Sequence, residues 1–166
     1  MARLTVVGAG YVGLVTTACM AELGHDIVAM DLDAEKVALL EQGGVPIYEP
    51  GLTELIAKHR RRIEFTTDPA YAYKQGEFVF LCVDTPSTYS GDADLSRIWQ
   101  AVHNLPPDEG NHVLVTKSTV PVGTGAAVQA ELDQRGYRHI QYASNPEFLR
   151  EGSAIEDFMH PDRIVV

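Results

Sequence analysis

Short apolar runs alternate along this chain with stretches whose apolar residues recur at helical spacing. Arg3-Leu4-Thr5-Val6-Val7 is a run rich in β-branched residues and reads as a strand. It leads directly into Gly8-Ala9-Gly10-Tyr11-Val12-Gly13. From there the apolar positions fall at Val12, Val15, Cys19 and Leu23, with Gly24 placed to stop a helix. Further strands are predicted at 27–30, 63–66, 78–83, 112–116 and 139–143. Helices are predicted at 34–42, with Val37, Leu39 and Leu40 as its apolar side, and at 52–59, 69–75, 95–104 and 125–134. Asp68-Pro69 supplies an N-cap and a first-turn proline. Pro46 and Pro50 hold 46–51 away from helix, and 106–110 reads as a loop. The run Phe78-Val79-Phe80-Leu81-Cys82-Val83 shows no alternation, which implies a strand covered on both faces, as in a parallel sheet. Alternating β and α without internal repeats indicates one α/β domain over 1–166, an open, doubly wound, mostly parallel sheet with helices on both faces. The expected strand order is 3-2-1-4-5-6, with a crevice at the carboxyl ends of the strands.

The strand, glycine turn and helix at the start give that crevice a candidate ligand. Gly8 permits the sharp exit from the strand, Gly10 lets a pyrophosphate approach the backbone, and Gly13 lets the helix pack close to the strand. The first-turn N–H groups and the helix dipole favour negative charge there. The second strand ends at Asp31, roughly 20 residues past the glycines, where a carboxylate would bond the ribose hydroxyls and repel a 2′-phosphate. The pattern is therefore Rossmann-type and favours NAD over NADP. The alternative is that Asp31 and Asp33 only cap the next helix. Four other polar motifs also follow predicted strands and should crowd the same edge: Asp31, Asp84-Thr85-Pro86, Ser118-Thr119 and Asn145-Pro146-Glu147.

Composition narrows the partners. An apolar fraction of 45% suits a soluble globular protein. The formal charge of −10 argues against nucleic acid or an anionic membrane as partner, but not against an anionic cofactor held by backbone amides. No apolar run approaches a bilayer span, and the first strand begins too early for a signal peptide, so a cytoplasmic location is expected. The basic run Lys58-His59-Arg60-Arg61-Arg62 reads as the favourable end of a helix. Cys19 and Cys82 sit in apolar runs, and the six histidines have no ligand spacing, so neither a disulfide framework nor a metal site is expected.

The reactive candidates are Thr119 and Glu147. A threonine hydroxyl can hold a water or a substrate hydroxyl, and a carboxylate at a partly closed strand end can act as general base. Equally, Thr119 could satisfy loop backbone and Glu147 could cap a short helix after Asn145-Pro146. No nucleophile elbow, P-loop or zinc spacing supports hydrolysis or phosphoryl transfer.

The stretches GAGYVGL (8–14), YEPGL (48–52), KSTVPVGT (117–124), NPEFLREGSAIEDF (145–158) and PDRIV (161–165) resemble the UDP-glucose 6-dehydrogenase family, within the wider UDP-glucose/GDP-mannose dehydrogenase group. The resemblance covers essentially the whole chain. It implies oxidation of UDP-glucose to UDP-glucuronate with two NAD, through a covalent adduct on a cysteine. It implies NAD contacts at Gly8, Ala9, Gly10, Tyr11, Val12, Gly13, Asp31, Lys36, Val83, Asp84, Thr85, Pro86, Ser87, Ser118, Thr119 and Glu151. It implies substrate contacts at Glu147, Phe148, Leu149, Arg150 and Glu151, with Thr119 and Glu147 holding the water or proton used in oxidation and thioester hydrolysis. The matched stretches correspond to the family's N-terminal domain. Its central dimer-forming helix and its C-terminal domain with the catalytic cysteine lie outside them, so homodimers or higher assemblies are expected of the longer enzyme. Asp84 departs from the family, which usually carries a small or amide-bearing residue there; an acid would weaken cofactor binding or point to solvent. Two other readings remain: an NAD-binding module without chemistry, and a dehydrogenase of another nucleotide sugar. A hydroxyacyl or phosphogluconate type is disfavoured by the NPEFLREG stretch.

Overall fold

A computed structural model describes residues 1–106 and 112–166. Six strands, β1 (Arg3–Val7), β2 (Asp26–Met30), β3 (Ile63–Thr66), β4 (Phe78–Leu81), β5 (Val113–Thr116) and β6 (Gln141–Ser144), form one sheet in the order β3-β2-β1-β4-β5-β6. Every neighbouring pair is parallel. The doubly wound order expected from the alternation is therefore the one observed. Seven helices accompany it among the described residues: α1 (Tyr11–Glu22), α2 (Ala34–Glu41), α3 (Leu52–Lys58), α4 (Pro69–Gln75), α5 (Ser96–His103), α6 (Thr124–Gln134) and α7 (Ala154–Met159).

The pleat divides the core in two. Leu4, Val6, Ile27, Ala29, Ile63, Phe65 and Phe80 point to one face, against α1, α2 and α3. Val7, Val28, Met30, Val79, Leu81 and Leu114 point to the other, against α4, α5 and α6. Both faces are covered, which is why the inner strands β2, β1, β4 and β5 read as mostly apolar runs, whereas the edge strands β3 and β6 keep polar positions.

Four expectations need correction. The apolar stripe expected on α1 is incomplete: Val15 and Cys19 are buried, but Leu23 is exposed, while Leu14, Ala18 and Ala21 face the sheet. Val15 and Cys19 face Ala154 and Phe158 of α7 instead. With two buried sides, α1 has no simple stripe to read. In α2, Val37 and Leu40 are buried, but Leu39 is exposed. The strand at 78–83 stops pairing at Leu81, and the one at 139–143 begins at Gln141. Residues 139 and 140 still belong to the turn out of α6.

The local signals act as read. Asp33 caps α2 by accepting from the Glu35 and Lys36 amides at 3.0 Å each, and Asp68 caps α4 through the Tyr71 amide at 3.1 Å. The basic run fastens the chain to itself. Lys58 and His59 both pair with Glu22, Arg60 donates to the Ile63 and Glu41 carbonyls, and Arg62 pairs with Asp26. Of the loop at 106–110, only Pro106 falls within the described residues. Among the described residues, no helix is long and apolar enough to cross a membrane.

Candidate functional site

A cleft of about 780 Å³ opens at the carboxyl edge of the sheet, between the end of β1, the end of β2, the turn after β4 and the turn after β5. The glycine turn forms its floor. Gly8 has φ +98°, and a Cβ there would lie 2.9 Å from the Cys82 carbonyl oxygen. A Cβ on Gly13 would lie 1.8 Å from the Gly8 carbonyl oxygen, so the helix can reach the strand only because the side chain is absent. A Cβ on Gly10 would meet nothing within 4 Å; it would project into open space at the helix start. Gly10 gives α1 no side-chain cap, and the first turn carries no acid. The positive helix end, with its amides, thus faces the cleft between Gly10, Tyr11 and Val12.

Asp31 borders this floor. Its Oδ2 accepts from the Ala9 amide at 2.8 Å and from Lys36 Nζ at 2.9 Å, and its Oδ1 accepts from the Asp33 amide at 3.0 Å. Burial opposes ionisation of this carboxyl, but the Asp33 amide, the Lys36 ammonium and the Ala9 amide outweigh it and hold it below the usual aspartate range. Capping belongs to Asp33, whereas Asp31 ties the glycine turn to the end of β2. An ionised carboxylate has about four lone-pair sites, so one remains for a ligand hydroxyl.

The opposite wall is built by two strand-end turns bonded together. Thr85 Oγ1 donates to the Thr119 carbonyl at 2.7 Å, and Ser118 Oγ donates to the Val83 carbonyl at 2.5 Å. Thr119 is exposed. Asp84 pairs with Arg97 of α5, so the acid expected to disturb an anionic cofactor is met by a cation. Sequence reasoning missed α5 as a wall. Arg97, Gln100 and Asn104 line the cleft, and their spacing of three and four residues puts them on one helix face. That spacing was the available signal.

The structure gathers Gly8, Gly10, Tyr11, Val12, Asp31, Lys36, Val83, Asp84, Thr85, Ser118 and Thr119 around the cleft. Ala9 and Gly13 lie beneath it as buried supports. Pro86, Ser87 and the segment Glu147, Phe148, Leu149, Arg150 and Glu151 do not line it. That segment follows β6 at the same sheet edge and is held by its own contacts. Glu147 Oε2 accepts from the Leu149 amide at 2.6 Å. It does not cap a helix, because α7 starts seven residues later, at Ala154. Arg150 pairs with Asp157, which is held down at about 2 by the Arg150 guanidinium and amide. The Arg163 guanidinium stacks 4.4 Å from the centre of the Phe148 ring.

Two further residues organise this segment. Glu49 is only 4% exposed. It accepts from the Tyr11 hydroxyl at 2.5 Å, the Gly152 amide at 2.8 Å and the Ala154 amide at 2.9 Å, so one carboxylate joins the start of α1 to the start of α7. Burial opposes its ionisation, and those three donors outweigh burial and lower its pKa. Lys117 is 6% exposed. Its ammonium donates to Asn145 Oδ1 at 3.1 Å and lies 5.5 Å from the centre of the Phe158 ring. Burial lowers its pKa against the opposing pull of Cys82 and Glu147. Both thiols are buried, and burial pushes each up to about 12.

Residues 2–166 match the family model for the UDP-glucose/GDP-mannose dehydrogenase family, NAD binding domain. A UDP-glucose 6-dehydrogenase of Rhizobium meliloti is 46% identical over 169 residues, covering 99% of this chain and 39% of the relative. The solved UDP-glucose dehydrogenase of Pyrobaculum islandicum superposes with a TM-score of 0.88 at 38% identity, over 99% of this chain and 40% of its own. A GDP-mannose dehydrogenase from Pseudomonas aeruginosa, solved as a ternary complex, gives 0.91 at 35% identity, over 98% of this chain and 40% of its own. The chain spans about two-fifths of the length of the curated relatives it matches.

Proposed function

This chain belongs to the UDP-glucose/GDP-mannose dehydrogenase family, as its NAD binding domain, and from that premise we propose that it serves the oxidation of UDP-glucose to UDP-glucuronate with two NAD. Gly10, Tyr11 and Val12 would hold the pyrophosphate, Asp31 the adenosine ribose, and Val83, Thr85 and Ser118 the remainder of the dinucleotide. Bound NAD supplies the hydride acceptor. The uncapped positive start of α1 and the ionised Asp31, facing one cleft, carry this reading. Thr119 would hold a water or a substrate hydroxyl at the mouth. Glu147 would move a proton as general base, and the segment through Glu151 would contact the sugar nucleotide. The covalent step needs a thiolate. Cys19 and Cys82 are buried with raised pKa values, so the nucleophile comes from outside these residues. The Rhizobium meliloti relative favours UDP-glucose as substrate. The Pseudomonas aeruginosa superposition keeps GDP-mannose as a second reading.

The test uses the chain as it stands. Ligand binding to the folded state alone stabilises it by about 2.7 kcal/mol when ligand is at a hundred times Kd, which raises Tm by several degrees. NAD should give such a rise. UDP-glucose with NAD should give no steady NADH absorbance. No thermal shift at millimolar NAD would overturn the cofactor assignment, and steady NADH production would overturn the absence of a competent thiol.

A further inference from the structure

Five charged residues line the cleft; four of them form two pairs, one on each wall, and the fifth, Asp33, caps α2. On the first wall, Asp31 pairs with Lys36 at 2.9 Å. On the second, Asp84, in the turn after β4, pairs with Arg97 in the first turn of α5. The pairs differ in support. Asp31 also accepts from two backbone amides, and its side chain is only 14% exposed. The side chains of Asp84 and Arg97 are 63% and 56% exposed, and both line the cleft.

An anionic ligand at the glycine turn would face Asp84 across the cleft. The whole chain carries a formal charge of −10, so an unmatched carboxylate there would add repulsion to an already negative surface. We propose that Arg97 is a positioning residue that neutralises Asp84, and that this pair together sets how strongly the cleft accepts a dinucleotide and how strongly it refuses an added phosphate. The proposal rests on the reading of the cleft as a dinucleotide site. Removing one member of the pair alone changes the net charge of the cleft by one unit, in opposite directions for the two members.

The experiment is a calorimetric titration of NAD and of NADP into the intact chain and into Arg97→Ala, Asp84→Asn and the double variant. Thermal melts without ligand check that each is folded. At about 0.05 M salt, where the Debye length exceeds 10 Å, Arg97→Ala should weaken NAD roughly three- to ten-fold, the scale of one exposed charge acting across several ångströms of water. Asp84→Asn should tighten NAD by a similar factor and NADP by more, since NADP carries an extra phosphate. The double variant should return close to the intact chain. Near 1 M salt, where screening shortens to about 3 Å, all these differences should shrink. A merely structural role would not follow salt or reverse sign between the two single variants. Arg97→Ala binding NAD as well as the intact chain, or both single variants weakening it, would overturn the pairing alone. An intact chain that binds no NAD would overturn the cofactor reading and this proposal with it.

Discussion

The unit β1–α1–β2 and the segment after β6 both carry residues expected at the site, but they are held in different ways. In the first, the parts sit within about thirty residues of each other. Gly8, Gly13 and the Ala9 amide are fixed by neighbours in the same unit and by the adjoining β4 turn. In the second, Gly152 and Ala154 hang on Glu49, more than a hundred residues earlier in the chain. Asn145 is held by Lys117, and α7 packs on α1. A motif whose geometry is local carries its own meaning in the sequence. A segment anchored at long range shows its residues but not their positions.

The largest expected effect comes from cutting that anchor. Glu49→Ala would leave the Tyr11 hydroxyl, the buried Ala154 amide and the partly buried Gly152 amide without their acceptor. Each unpaired buried group costs about 1–3 kcal/mol, and with partial relaxation the sum should be about 3–5 kcal/mol in urea denaturation. Glu49 also gives the sign of one pH effect. Its folded pKa is depressed, so its contribution is fully present above its unfolded value, near 4.3, and is lost as pH falls through the folded value. Glu49→Gln cannot titrate. Below about pH 4, Tm should fall more steeply for the unsubstituted chain than for Glu49→Gln. Parallel acid profiles would mean that Glu49 is not the charged link between the two regions.

Two glycines sharpen the contrast. Gly13 and Gly152 lie one in each region and are needed for opposite reasons. At Gly13 a Cβ would meet the backbone oxygen of Gly8 at 1.8 Å. The backbone cannot turn aside as a side chain would, so Gly13→Ala should cost about 3 kcal/mol, the upper range for overpacking. Gly152 has φ +90° with open space around a would-be Cβ, so Gly152→Ala should cost only the left-handed penalty, about 1–2 kcal/mol. Equal losses in chemical denaturation would break the distinction between a packing glycine and a conformational one.

These particulars explain what was legible. The parallel sheet and its strand order could be read because the central strands are compact apolar runs, and all are spaced by helices with glycine, proline or capping residues at their ends. The glycine turn and Asp31 could be read because their spacing is set by one strand, one turn and one helix. The two buried sides of α1 could not, since Leu14 and Val15 serve different neighbours and together erase the expected stripe. Glu49 and Lys117 look like ordinary surface charges until the fold buries them. Arg97, Gln100 and Asn104 share a helix face in the sequence, but only the crossover shows that the face borders the cleft.

The remaining effect concerns Asp31 and is read in ligand binding rather than in stability; it tests whether the local unit is complete in itself. Asp31→Ala removes a carboxylate that accepts from Ala9, Asp33 and Lys36. If Asp31 also accepts from the adenosine ribose, NAD binding should weaken by about 1–3 kcal/mol, the range for a hydrogen bond to a charged group. That loss alone could come from a loosened glycine turn, so NADP is the necessary control. A loosened turn would weaken NAD and NADP alike, since both place a pyrophosphate over Gly10. Loss of the carboxylate's own contact would weaken NAD while relieving repulsion of the 2′-phosphate, and it would also release the Lys36 ammonium. Calorimetric titration should therefore show NAD and NADP affinities converging in Asp31→Ala from a clear NAD preference in the unsubstituted chain. An unsubstituted chain that binds both equally, or a variant that loses both by the same factor, would reduce Asp31 to a brace between β2 and the glycine turn.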